Sequence, residues 1–349
     1  MPQQLTRNYL EFQADQIEAV LASHRVPARV YSGAISPRWM SFHITAAPGA
    51  RISIVRNLSE ELALALGAKD VRIAREGGTL AVEVPRPDAE PVNLVRMLRR
   101  LKHMPPVTAC LGLAEDGRPL LIRLPSPDVA HVLVAGSTGS GKTELIRTAL
   151  WSLAIANRQA QLQIVLIDPK RRGFGPLSKL PHLMTPPVSS VTDSIALLQR
   201  IVEEMERRDR EEITSPHLVV AIDEGMDLIM TGGKEVDTLL TRIAQRGREA
   251  GIHLLVGAQN PSSSVFSSLL KANFPVRLVG RVSSANDARV AAGISGTHAE
   301  KLLGRGDFVA IAAGETTRFQ AAFIPSNDLS ILRNSILQRK TIIGTEEST

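Results

Sequence analysis

Cysteine is almost absent. A single residue, Cys110, stands in 349, so no disulfide can form within the chain, which fits a reducing compartment and a cytoplasmic protein. Cys110 itself reads as a small core residue. Long apolar runs are missing as well: nothing approaches the roughly 18 residues that a membrane span needs. The opening stretch, Met1 to Arg7, has no apolar segment that could serve as a secretion signal. Aromatics make up only 3% of the chain, which argues against a base-stacking platform for single strands. The eight histidines show no metal-ligand spacing, so a zinc site is not expected. Lysine is scarce too, with nine among 41 basic residues. The net charge of +6 permits nucleic-acid binding without demonstrating it, and any such grip should fall on backbone phosphates.

What is present is more specific. Gly136, Ser137, Thr138, Gly139, Ser140, Gly141, Lys142 and Thr143 spell the phosphate-binding loop G-x-x-x-x-G-K-[ST]. The apolar, β-branched run 131–135 precedes it and reads as a buried strand, while residues 144–151 follow with apolar positions at helical spacing. A strand, a glycine-rich turn and a helix start surround one anion with backbone N–H groups. Lys142 should reach the β- and γ-phosphates, and the Thr143 hydroxyl should ligate Mg²⁺. The chain is expected to bind ATP or GTP.

Two parts are legible along the chain. Residues 1–105 read as a small α+β module, with helices over 10–24 and 51–66 and strands near 28–31, 40–46, 71–73 and 80–84. Prolines at 85, 87, 91, 105 and 106 punctuate the exit, and the boundary is placed near residue 105. From 106 to 330 strands and helices alternate: strands 162–167, 218–222 and 252–256, helices 191–212 and 235–250. That alternation implies an α/β fold with a parallel sheet covered on both faces, whose ligands bind at the carboxyl ends of the strands. Residues 331–349 are expected to be a polar tail, loose from Asn334 to Thr349.

Those strand ends carry chemistry. Asp223 and Glu224 close strand 218–222, where a nucleotide hydrolase needs one carboxylate for the metal and another to polarise water. Asp223 is assigned to Mg²⁺ and Glu224 to the general base. Gln259 ends the next strand and can sense a γ-phosphate through the attacking water; alone it would be an ordinary turn residue. Arg246 and Arg248 end a helix, where arginines commonly do no more than favour the dipole; a finger reaching another subunit's site is the alternative. Asp168 and the basic run Lys170, Arg171 and Arg172 follow strand 162–167 and either touch phosphate or form a solvated loop.

Together these stretches resemble the motor of the FtsK/SpoIIIE family of DNA translocases. The carriers are HVLVAGSTGSGKT at 131–143, LIDPK at 166–170, MERR at 205–208, VAIDE at 220–224, REAGIH at 248–253, KANFP at 271–275, RVSS at 281–284, DAR at 287–289 and KLLGRGD at 301–307. The resemblance implies a P-loop NTPase core of the RecA-like, FtsK–HerA type, with that family's α domain over the first 105 residues. It also implies ATP hydrolysis with Mg²⁺ in a homo-hexamer around double-stranded DNA. Arg248 matches the finger that reaches a neighbour's ATP, and Gln259 matches a sensor glutamine. Asn260, Ser262, Lys271, Ala285 and Arg289 match loops that line the pore. Asn260 stands where the family usually has arginine and Ala285 where lysine is common, so two cations that could hold phosphate are replaced by neutral residues. The family's membrane segments and winged-helix domain are not in the sequence, which reads as a stripped motor. Type VII protein secretion, conjugative transfer and phage packaging are the competing uses of such an ATPase.

Overall fold

A computed structural model describes residues 7–46, 52–76, 78–89, 91–259, 267–338 and 342–344. The chain divides into two units, one of Met1–Pro91 with Ala114–Arg118, the other of Val92–Leu113 with Pro119–Thr349. In the first, β1 (Ala28–Ile35), β2 (Trp39–Ala46), β3 (Arg72–Glu76) and β4 (Thr79–Pro85) form an antiparallel sheet in the order β1-β2-β4-β3. Helix α1 (Arg7–Ser23) contributes Ile17 and Leu21 to its core, and the short α2 (Ile52–Asn57) and α3 (Ser59–Ala65) contribute Val55 and Leu62. The single helix expected over 51–66 is therefore two, parted at Leu58.

The second unit holds a nine-stranded sheet. Five strands are parallel, in the order β8 (Leu162–Ile167), β9 (His217–Ile222), β10 (Ile252–Ala258), β7 (Val132–Ala135) and β11 (Val276–Gly280). Their side chains alternate between two cores, as a pleated strand requires. Val132, Val134, Ile164 and Leu166 face helix α5 (Lys142–Ala156); Leu133, Val165, Ile167 and Val220 face α6 (Val191–Glu211) and α7 (Gly225–Arg246). The sheet then continues through β12 (Asp307–Ala312), β13 (Glu315–Ala321), β5 (Thr108–Ala114) and β6 (Pro119–Arg123), paired antiparallel at β11–β12, β12–β13 and β5–β6. It is mixed where alternation alone predicted a parallel sheet, because hairpins of short strands carry no crossover signal.

Two boundaries move. The units part at Pro91/Val92, not near 105, because helix α4 (Leu94–Arg100), capped by Asn93, buries Leu94, Val95, Met97 and Leu98 in the core of the second unit. Nor is the tail loose from 334: helix α10 (Asp328–Gln338) runs to 338 and places Leu329, Leu332 and Ile336 at helical spacing against that core, and Ile342 is buried there too. Helix α7 begins ten residues before the expected start at 235. Its backbone kinks at Gly233, so only the part beyond the kink reads as a continuous helical pattern.

Three histidines gather at the amino ends of the parallel strands. The His217 Nδ1–H donates to His253 Nε2 at 3.1 Å, and the His253 Nδ1–H donates to the Ala130 carbonyl at 2.9 Å. His131 Nδ1 accepts from Leu254 N at 3.0 Å. Burial holds the imidazole of His131 down to about 4 and that of His253 down to about 3, from 6.5. Below pH 6.5 the unfolded chain therefore binds protons that the folded chain refuses, and stability falls until pH passes the folded values. Urea unfolding at pH 7 and pH 5 should show a loss of about 2 kcal/mol from each of the two residues. His253→Gln should lose about half of that dependence; an unchanged dependence would contradict the assignment.

Candidate active site

The strand order builds the site. Because β10 lies between β7 and β9, the residue that ends β10 sits between the phosphate loop after β7 and the carboxylates after β9. That residue is Gln259. Its Nε2 donates to Glu224 Oε1 at 2.6 Å, and its Oε1 accepts from the Thr138 hydroxyl at 3.4 Å. One chain of hydrogen bonds thus runs from the phosphate loop through the glutamine to the expected base.

Helix α5 starts at Lys142 behind Gly141, whose φ of 103° is open to glycine and strained for any other residue. A Cβ at Gly141 would also lie 2.9 Å from the Gly306 nitrogen. The Lys142 ammonium folds back on its loop, donating to the Gly136 carbonyl at 2.8 Å and the Ser137 carbonyl at 3.3 Å. Burial lowers its pKa, opposed by the charges of Glu224 and Asp223. A phosphate placed in the loop would give that half-desolvated cation its counter-charge. The Thr143 hydroxyl donates to Asp223 Oδ1 at 2.8 Å. Burial raises the Asp223 pKa; the Thr143 hydrogen bond lowers it, and the nearby charges of Glu224 and Asp168 raise it. A hydroxyl beside a carboxylate that gains from an added positive charge is a hard-oxygen donor set, and it fits Mg²⁺.

The other expected residues divide. Arg248 is exposed in the turn between α7 and β10, at the amino ends of the strands. Seven residues of β10 separate it from Gln259, about 23 Å of extended chain, so it cannot reach the phosphate loop of its own chain. Arg246 is tied to Asp209 at 2.6 Å. Asp168 is buried, its Oδ2 accepting from the nitrogens of Gly173 at 2.8 Å and Phe174 at 3.0 Å. It shapes the loop that follows β8; Lys170 pairs with Asp227 and Arg171 with Ser189. Lys271 lies half-buried on α8 (Ser268–Ala272), and Arg289 is exposed on α9 (Ala285–Ala292), bonded to Asn286 at 3.1 Å. Asn260 and Ser262 lie outside the described residues. Cys110 is buried with its thiol pushed up to about 12 by desolvation, unsuited to nucleophilic work.

Sequence reasoning missed the supports. The phosphate loop is held from the side by backbone: Arg305 N donates to the Gly139 carbonyl at 3.0 Å, Gly306 N to that of Ser140 at 2.8 Å, and Ser137 N to that of Arg281 at 2.7 Å. Those contacts give the stretches RVSS and KLLGRGD their place, and the buried Asp307–Arg318 pair at 2.9 Å fixes the second. Arg277 was missed too. It donates to the Lys271 carbonyl at 3.0 Å, and its guanidinium fills the place where a Cβ on Gly293 would stand, so it ties α8 to the end of α9.

Comparison with known proteins gives the family. The FtsK/SpoIIIE family model matches residues 95–215 and 209–263, and the FtsK alpha domain model matches residues 2–86. The chain is 36% identical over 350 residues to DNA translocase SftA of Bacillus subtilis (strain 168), covering 92% of this chain and 36% of that protein. It is 35% identical over 357 residues to DNA translocase FtsK of Staphylococcus epidermidis, covering 93% of this chain and 44% of that one. It therefore spans less than half the length of these curated relatives. Among solved structures, the pCW3 conjugation coupling protein TcpA, in its monomer form with ATPγS, superposes with a TM-score of 0.64 at 19% identity, over 94% of this chain and 99% of that one. The cytoplasmic domain of the Thermomonospora curvata type VII secretion ATPase EccC gives 0.57 at 25% identity, over 70% and 32%. Among the described residues no helix is long and apolar enough to cross a membrane. With the alpha domain at its amino end and the P-loop ATPase fold behind it, this chain belongs to the FtsK/SpoIIIE family.

Proposed function

We propose that the chain is an ATP-driven motor that assembles as a hexameric ring in the cytoplasm and moves double-stranded DNA through its pore by backbone contacts. The observation that carries this reading is the division of the site. Lys142, Thr143, Asp223, Glu224 and Gln259 converge at one edge of the sheet, while Arg248 stands exposed at the other. A finger so placed serves a neighbouring copy, and hydrolysis then depends on assembly.

In the proposed reaction Lys142 leaves the loop carbonyls and holds the β- and γ-phosphates. Thr143 and Asp223 would hold Mg²⁺, which when bound neutralises phosphate charge. Glu224 accepts the proton of the attacking water, and Gln259, hydrogen-bonded to Glu224 from the start, orients that water. Thr138 couples the glutamine to the phosphate loop, so nucleotide occupancy is felt at the end of β10. Residue 259 leads directly into the stretch that carries Asn260 and Ser262, the proposed pore contacts.

DNA contact is assigned to Lys271 and Arg289, as point and fork donors to phosphate. Neutralising either should weaken duplex binding uniformly across sequences. The slope of log K against log salt should flatten by about 0.9 for each phosphate left without its cation. Titrations of Lys271→Ala and Arg289→Ala over a salt series check this, and unchanged slopes in both would remove the assignment. The likeness to a secretion ATPase favours protein transport as the second reading. ATPase assays with and without duplex decide between them: stimulation by duplex of any sequence is expected, and indifference to DNA would favour secretion.

A further inference from the structure

Arg208 is a charged side chain that the nucleotide site does not use, yet it is only 3% exposed. It sits near the end of α6, inside the MERR stretch. Its NH1 donates to the Pro216 carbonyl at 2.7 Å and to the Ala250 carbonyl at 3.0 Å, while its Nε donates to Glu204 Oε1 at 2.8 Å. Ala250 belongs to the turn that carries Arg248. A buried guanidinium is retained at a cost in desolvation unless its fork is matched by acceptors. Here the acceptors are the Glu204 carboxylate and two backbone carbonyls, one in that turn and one in the segment that leads into β9.

The rest of the turn is fixed with equal care. Gly251 N donates to the Arg248 carbonyl at 3.0 Å, Ile252 N to that of Gly247 at 2.7 Å, and Leu218 N to that of Gly251 at 2.8 Å. Gly251 has φ +69°, and a Cβ there would lie 2.0 Å from the Thr214 carbonyl oxygen, so that turn and the 213–216 segment touch through backbone alone. On the solvent side Arg246 pairs with Asp209, and Arg242 with Glu206, locking the end of α7 to the same stretch of α6. The Leu218–Gly251 bond and the two surface ion pairs lead to residues 204–218, and the Arg208 side chain bonds both the turn and the segment before β9.

We infer that Arg208 is a positioning residue for the trans finger: it sets the height and orientation of the 247–251 turn, and with it the place where the Arg248 guanidinium meets a neighbouring copy's nucleotide. This rests on the reading of Arg248 as a finger in trans. It implies that damage at Arg208 leaves the nucleotide site of its own chain intact and appears in the neighbour's.

Two variants test it. Arg208→Met removes all three hydrogen bonds. Arg208→Lys keeps the buried cation beside Glu204 and ends about a bond short of the two carbonyls, so it remains informative where the methionine variant fails to fold. Both are expected to bind a fluorescent ATP analogue with wild-type affinity, and to lose at least roughly tenfold in duplex-stimulated kcat, because a misplacement near 1 Å costs up to about 10²-fold. Rings are then mixed with Lys142→Ala subunits, which keep an intact finger and lack a working phosphate loop. Activity should return at interfaces where a Lys142→Ala subunit supplies the finger to an Arg208 variant's loop, with Arg248→Ala run in parallel. If Arg248→Ala recovers in mixed rings and the Arg208 variants do not, or if they lose nucleotide affinity, the positioning role is overturned while the trans finger stands. If Arg248→Ala itself fails to recover, the trans finger is overturned and the positioning role falls with it.

Discussion

Arg248→Ala is expected to bind ATP as the wild type does and to lose about 10³-fold or more of its duplex-stimulated hydrolysis, the scale on which a trans arginine stabilises a phosphoryl-transfer transition state. The side chain is exposed, so its removal should change stability by no more than about 0.5 kcal/mol. It also lies a full strand length from Gln259 within its own chain, so nothing in the local site changes. Arg248→Lys should not restore the rate, because an ammonium cannot present the planar fork that bridges phosphate oxygens. Nucleotide affinity and steady-state rates on saturating duplex make the comparison. A near wild-type rate for the alanine variant would exclude the finger role.

Glu224→Gln is expected to keep ATP binding and to lose about 10²- to 10⁴-fold in turnover, the range that positioned acid–base catalysis supplies. An amide cannot take the proton of the attacking water. The substitution also changes the partner of Gln259: the Nε2 that donates to a carboxylate oxygen at 2.6 Å would face an amide able to offer its own carbonyl, so the hydrogen bond can persist without the charge. Binding and conformation should therefore survive while chemistry stops, and rings should stay on duplex in the ATP state. Single-turnover hydrolysis measures it, and a rate close to wild type would reassign the base.

Much of this site was legible because its chemistry is written in side chains at fixed spacing. Gly136 to Thr143, the carboxylates at 223 and 224 and the glutamine at 259 each follow a continuous apolar run that marks a buried strand. The strand order supplied what spacing could not, since β10 between β7 and β9 is what brings Gln259 to both Thr138 and Glu224. The supports were illegible for a physical reason. Arg305, Gly306 and Arg281 act through backbone N–H and C=O groups, which every residue carries, so no side-chain pattern announces them. The segment ETTRFQA of β13 has too few apolar residues to advertise a strand, and it is one because β12 pairs along it. The boundary near 105 followed prolines, whereas the burial of Leu94, Val95 and Leu98 decides it. Arg208 was visible within MERR, but its role depends on a turn 40 residues away that only the packing of α6 against α7 brings near.

Displacement of a triplex-forming strand from a long duplex tests the motor most directly, since removing that strand requires a ring to travel along the DNA. The wild-type chain is expected to displace it with ATP and Mg²⁺, on duplex of any sequence, and ATPγS, Glu224→Gln and Arg248→Ala should each abolish displacement. A wild-type chain that hydrolyses ATP and leaves the third strand in place would contradict the motor reading.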